Sequence, residues 1–311
     1  MKLVITGASG LLGRRAAELV LVSTAAEDLI LTTRNPVALA PLAERGVTVR
    51  HGDFADPRTL RAAFAGGERL LLVSATDLGQ RTAQHRAAID AAKAAGVRHI
   101  VYTSGLRPEP PNPAVVAPSH HATEQALAQS GLAWTILRNS LYAEYQAPEA
   151  TQAIASGALV HNRGAGKVAY VAREDCAAVA AAVLVAAGHA GVCYDVTGPE
   201  AYSAADLAAL YGELGGRPVV ERRVSDAELI AAMVGTAGGR RPPWMAGVPQ
   251  KQEEFAADHL RYGAELVASF GRSIRAGYMS ACTDTVARLV GRPPQSLRQV
   301  LARSAPAGAG A

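Results

Sequence analysis

Cysteine, tryptophan, phenylalanine and lysine are all scarce in this 311-residue chain. The cysteines Cys176, Cys193 and Cys282 are odd in number and have no CxxC spacing, which excludes a disulfide scaffold or zinc ribbon and fits a reducing compartment. Aromatic residues make up only 5% and no basic run stands out, so a base-stacking platform for nucleic acid is not expected despite the net charge of +4. The histidines show no HExxH or His-carboxylate spacing and no GxSxG elbow is present, so neither a metal site nor a serine hydrolase is expected. The most apolar stretch, from Cys176 to Ala187, is too short to span a bilayer, and MKLVITGASG carries no signal-peptide h-region. The expectation is a cytoplasmic chain that acts on a small molecule, with no membrane or nucleic-acid partner.

What is abundant is ordinary for a globular protein: 49% hydrophobic and 19% charged residues, enough chain for one large domain or two modest ones. Over the first 140 residues, short β-like runs (KLVITG, LILTT, VTVRH, RLLLVSA, HIVYTS, AWTILR) alternate with helical patterns. Such alternation means βαβ units, and right-handed crossovers then give a parallel sheet covered on both faces. The class expected is α/β, a Rossmann-type doubly wound parallel sheet with a smaller, mostly helical substrate-binding region. Residues 1–200 are expected to form the dinucleotide-binding domain, with 139–172 contributing to the substrate site and VCYDVT rejoining the sheet. Residues 201–304 form the smaller region, broken by a Gly/Pro-rich loop or lid at 235–250 in which Trp244 and Met245 are candidates for a cover. The tail at 305–311 is expected to fray.

Gly7, Gly10 and Gly13 follow the first strand and open the first helix in GASGLLG. Gly7 permits the tight turn, Gly10 lets the backbone approach a pyrophosphate, and Gly13 allows close helix packing, while the helix N-terminus offers free N–H groups to the anion. Ser9, Leu11 and Leu12 belong to the same cofactor-binding loop. At the end of the second strand, where an NAD site usually places a carboxylate, TTRNP has Arg34, whose guanidinium pairs with a 2′-phosphate. NADP(H) is therefore expected, with Arg14 as further support. Asp53 and Phe54 in HGDF follow the third strand and are placed near the adenine, Asp56 before Pro57 reads as a helix cap, and Ser74, Ala75 and Thr76 flank the cofactor after the fourth strand. Gln80, Gln84 and His85 read in part as a solvated helix face.

GASGLLG, TTRNP, VRHGDF, LLLVSA, GQRTAQHRAAIDAAKAAGV, YTS, HHATEQALAQSG and ILRN together resemble an atypical short-chain dehydrogenase/reductase of the NmrA-like group, and within it the branch of NADPH-dependent quinone reductases and triphenylmethane reductases. The likeness covers about residues 1–200 and resumes weakly in TDTVARLVGRPPQSLRQVL. Residues 235–270 have no counterpart in it.

Typical short-chain dehydrogenases use Ser with a YxxxK pair, in which Lys lowers the Tyr pKa. Here Thr103 or Ser104 can fill the Ser role, whereas the Tyr and Lys positions read His120 and Glu124, an HxxTE pattern shared with the resembled quinone reductases. Reducing a simple ketone needs a strong proton donor for the alkoxide, but a quinone or cationic dye accepts hydride more easily. The resemblance thus implies direct hydride transfer from NADPH to a quinone or similar conjugated acceptor. His120 is a candidate to donate a proton or hydrogen bond, Asn139 to hydrogen-bond a quinone oxygen or the nicotinamide amide, and Tyr142 to stack on the acceptor, with Tyr145 on the same helix face. Lys167 lies either near the site or in an exposed turn. Two alternatives stay open: a ketone or imine reductase of a specialised pathway, and a non-catalytic NADP-sensing regulator. A homodimer is the assembly carried forward.

Overall fold

A computed structural model describes residues 1–236 and 257–304, so the expected lid at 235–250, with Trp244 and Met245, and the tail at 305–311 lie outside the described residues apart from residues 235 and 236. Strands and helices alternate from the start: β1 (Leu3–Ile5), α1 (Leu11–Val20), β2 (Leu29–Thr33), α2 (Ala40–Ala43), β3 (Thr48–His51), α3 (Leu60–Phe64), β4 (Arg69–Leu72), α4 (Arg81–Ala94), β5 (His99–Gly105), α5 (Ala117–Gln129) and β6 (Ala133–Asn139). They continue through α6 (Gln146–Ser156), β7 (Ala158–His161), α7 (Arg173–Val185), β8 (Val192–Val196), α8 (Ala204–Gly215), β9 (Val220–Arg223), α9 (Asp226–Thr236), α10 (Ala257–Arg275), α11 (Thr285–Val290) and α12 (Leu297–Ser304).

The main sheet has seven strands in the order β3-β2-β1-β4-β5-β6-β8, all parallel. Every residue of β2 is buried, as a continuous apolar run covered on both faces should be. On one face α1 packs against α7, and the contact is made by small side chains, Ala16 and Ala17 with Ala177, Ala180 and Ala181, which let the helices approach closely. Arg15 spans the rim of that contact to Glu174 at 2.6 Å. Strand order reverses direction between β1 and β4, which opens a crevice at the carboxyl ends of the strands.

β7 leaves the main sheet and pairs in parallel with β9, a two-stranded sheet that the sequence patterning did not predict. The boundary expected at residue 200 is also not where the cores divide. One core joins Ala143, Leu159, Val168 and Tyr170 to Leu207, Tyr211, Ile274 and Leu301, so the smaller lobe is built from two separate segments. Val286 of α11 belongs instead to the core of the main sheet, beside Val179 and Val183. Among the described residues, no helix is long and apolar enough to cross a membrane.

Candidate active site

The loop between β1 and α1 is tight because two glycines allow it. Gly7 has φ +59°, and a Cβ at Gly13 would sit 2.5 Å from the Gly7 carbonyl oxygen, closer than real side chains come. Gly10 caps α1 with no side-chain hydrogen bond, so the first N–H groups of the helix keep their donors for a ligand. Leu11 is 72% exposed at that end, an apolar side chain placed where a bound molecule would cover it, whereas the Leu12 side chain turns into the core and can meet a ligand only through its backbone. Ser9 and Thr33 share a hydrogen bond of 2.7 Å, and Thr33 also accepts the Asn35 N–H, which ties the glycine loop to the end of β2.

Arg34 stands exposed at that end, with no carboxylate in ion-pair range among the described residues. Arg14 is exposed on α1 and pairs with Glu18 at 3.6 Å. Asp53 spends its carboxylate on the Ala55 N–H, Asp56 accepts the Arg58 N–H as the cap of a 3-10 turn, and Phe54 packs edge-on to His85.

β4 ends at Leu72, three residues earlier than the apolar run suggested, and the loop that follows is held by side chains. The Ser74 N–H donates to Thr103 Oγ1 at 2.9 Å. The Ala75 N–H donates to His85 Nε2 at 2.9 Å, and the Ala75 carbonyl accepts from Arg81 Nε at 2.7 Å. His85 is therefore not on a solvated face: it is fully buried, because its imidazole is the anchor of this loop. Since Nε2 accepts, Nδ1 carries the proton and donates to Thr123 Oγ1 at 3.0 Å, and Thr123 donates in turn to the Ser119 carbonyl. Burial, assisted by Arg81, pushes the His85 pKa down to about 3, so the ring is neutral.

His120 and Glu124 are both buried on α5. His120 Nδ1 lies 2.7 Å from Tyr102 Oη and Nε2 lies 3.4 Å from Arg81 Nη1. A guanidinium only donates, so this arrangement leaves the lone pair on Nε2 and the proton on Nδ1. Burial first, then the Arg81 charge, hold His120 well below the usual histidine range. Glu124 accepts the Ser104 hydroxyl at 2.7 Å and pairs with Arg138, which also reaches Glu109. Burial works against the Arg138 charge, but the two carboxylates outweigh it and its pKa rises. Arg81, Tyr102, Arg138 and Glu109 were not singled out from sequence; only the clustering of polar types in GQRTAQHR and HHATE marked their neighbourhood.

Above these groups a cavity of about 170 Å³ opens at the carboxyl ends of β5 and β6. It is lined by Thr103, Ser104 and Gly105 at the end of β5, by His120 of α5, by Asn139, Tyr142 and Tyr145 at and after the end of β6, and by Phe270 of α10 and Met279, among others. Asn139 Oδ1 and Ser140 Oγ are buried with no hydrogen-bond partner. Tyr142 does not begin a helix face shared with Tyr145: it is extended, φ −67° and ψ 130°, and pairs as a strand with Val171 before the 3-10 turn Ala143–Tyr145. The two rings still meet, with centroids 5.8 Å apart, and the Arg173 guanidinium lies over the Tyr142 ring at 5.2 Å. Burial raises the Tyr142 pKa above that of a free phenol. Thr76 is exposed beside the loop, and Lys167 is in an exposed turn 3.8 Å from Asp206, outside the cavity. A larger groove of about 840 Å³ between α7 and α12 is open to solvent and shares no residue with the strand ends.

The glycine cradle and the free helix end fit a dinucleotide cofactor. Residues 7–187 match the NAD(P)H-binding family. Quinone oxidoreductase 2 of Escherichia coli is 35% identical over 297 residues, 96% of each chain, and its crystal structure with NADPH superposes with a TM-score of 0.86 over 97% of this chain and 99% of that one, at 34% identity. The NAD(P)H azoreductase of Xenophilus azovorans is 30% identical over 298 residues, 96% of each chain. The Citrobacter triphenylmethane reductase complexed with NADP(H) has a TM-score of 0.84 at 31% identity, covering 98% of this chain and all of that one, 100%. The chain belongs to the NAD(P)H-binding family and, within it, to the NmrA-like group of NAD(P)H-dependent oxidoreductases.

Proposed function

We propose that the cavity at the ends of β5 and β6 takes a flat conjugated acceptor of the quinone type, reduced by direct hydride transfer. The observation that carries this reading is the absence of an activated acid among the described groups around the cavity. His120 is held neutral by burial and Arg81, Ser104 is committed to Glu124, and burial raises the Tyr142 pKa, with no Lys among the lining residues to lower it. Such a wall supplies little help to an alkoxide but is adequate for an acceptor whose reduced form is a stabilised phenolate.

Bound NADPH supplies the hydride. Gly7, Ser9, Gly10, Leu11 and the Leu12 backbone would hold its pyrophosphate, and Arg34, free of any carboxylate among the described residues, would take the 2′-phosphate. Asp53 and Phe54 would border the adenine, and Ser74, Ala75, Thr76 and Thr103 the nicotinamide half. Asn139 Oδ1 gives an orphaned acceptor to an amide N–H or hydroxyl at the reacting end. His120 would act as a neutral hydrogen-bonding wall, with Tyr142 and Phe270 also lining the space for a planar ring.

A panel of acceptors tests this. With purified protein, simple quinones should oxidise NADPH, with azo and triphenylmethane dyes as further acceptors, while a saturated ketone should leave it unchanged. Faster reduction of the ketone or of an imine than of every quinone would overturn the reading.

A further inference from the structure

Among the described residues, Arg81, Arg138 and Arg163 have deeply set guanidinium groups, and one of them differs from the others. Arg138 is paired with Glu124 and Glu109, and Arg163 with Glu149. Arg81 is 7% exposed, yet its partners are all neutral: the Ala75 carbonyl at 2.7 Å, Ser119 Oγ at 3.3 Å and His120 Nε2 at 3.4 Å. Among the described residues no carboxylate lies in ion-pair range of it. The ionisable groups that face it are Asp77 in the preceding loop, His85 on its own helix, Tyr102 of β5, His120 of α5 and Tyr262 of α10. Of these only Asp77 carries a charge at neutral pH, and it is an exposed residue that caps the Gln80 N–H. A guanidinium stays protonated in such surroundings, so a positive charge with little compensation sits one imidazole ring away from the cavity.

We infer that Arg81 sets the charge preference of the site, favouring acceptors on which reduction builds negative charge over acceptors that enter as cations. The inference rests on the proposal that this cavity is the acceptor site. A neutral quinone gains a hydrogen nucleus with its electron pair, the dihydronicotinamide losing the same two electrons. The quinone oxygen carries a negative charge until a proton arrives from water. A fixed positive charge nearby lowers the energy of that anion more than that of the neutral quinone, which is what assists the chemical step. A cationic triphenylmethane dye takes the same hydride and ends neutral, so the same charge opposes its entry and gives nothing back. Arg81 does not touch the acceptor: it acts by its field and by holding His120, and is a positioning and selectivity residue.

Wild type, R81Q and R81K are compared with 1,4-benzoquinone and with malachite green, and the ratio of the two kcat/KM values is read. R81Q should lower the quinone-to-dye ratio about tenfold or more, whereas R81K, which keeps the charge and loses the fork, should lower both rates and hold the ratio within about threefold. A purely structural Arg81 would lower both rates together in R81Q, and an unchanged ratio overturns the inference. The second readout needs no turnover and no variant. 4-Nitrophenol added to wild-type protein should ionise at a pH about one unit lower than in water, read by the absorbance of the phenolate. Protein that excludes the phenolate, or holds the phenol with an unchanged or raised midpoint, contradicts the inference. If no acceptor is reduced at all, the proposed function fails, and the nitrophenol midpoint still decides for or against Arg81.

Discussion

His85 Nε2 accepts the Ala75 N–H at 2.9 Å, so a buried neutral imidazole fixes the backbone of the loop that follows β4. The ring can do this only unprotonated, and its pKa is pushed down to about 3 by burial and Arg81. The unfolded chain titrates near the ordinary histidine value, about 6.5, so it binds a proton that the folded protein refuses as the pH falls below that value. Stability should therefore be full above about pH 6.5 and decline by up to about 1.4 kcal/mol per pH unit toward pH 4 on account of this residue. Denaturant unfolding at a series of pH values checks it, and H85N should show the shallower slope.

Arg34 should separate the two nicotinamide dinucleotides. In R34A, affinity for NADPH should fall about 10- to 100-fold while that for NADH is unchanged, the size expected for losing a charged pair to phosphate. Calorimetric titration of both cofactors measures it, and an unchanged ratio assigns the 2′-phosphate elsewhere.

At Gly13 a methyl group would press on the Gly7 carbonyl at 2.5 Å, with backbone on both sides of the contact. G13A should cost about 1–3 kcal/mol of stability through overpacking and weaken cofactor binding with it, since the displaced loop is the one that would hold the pyrophosphate. Thermal unfolding with and without NADPH reads both effects, and a variant with wild-type stability would contradict the close approach.

Asn139 lines the cavity, and its Oδ1 is buried with no hydrogen-bond partner. N139A should reduce kcat about 10- to 100-fold with a small loss of stability, since the buried amide also donates from Nδ2 to Tyr142 Oη at 3.5 Å. If the substitution changes only the KM for the acceptor, Asn139 binds it equally in ground and transition states.

The part of the fold that was legible in the sequence is the part whose physics is local. A glycine triplet after a strand, and continuous apolar runs such as LILTT, mark doubly covered parallel strands directly. β7 and β9 escaped because ALVH and VERR are four-residue strands whose pairing joins segments far apart, and β9 is exposed along its whole length. The smaller lobe escaped as a unit for a similar reason, since Tyr170 and Tyr211 share a core that no window of sequence contains. His85 read in part as a solvated helix face, and Arg81 was not singled out. Their burial depends on what α5 and the Ala75 loop present to them, which is tertiary information. For the candidate site, the sequence offers candidates where residue type implies chemistry, as at Arg34, His120 and Asn139, and offers none where a side chain serves by holding another.

Direct hydride transfer to a quinone is followed by single-turnover mixing of the protein–NADPH complex with a simple quinone. One NADPH should be oxidised per hydroquinone formed, slowed by a primary isotope effect when the cofactor is deuterated at the transferring position of C4. NADPH that stays tightly bound and unoxidised in the presence of excess quinone would contradict it.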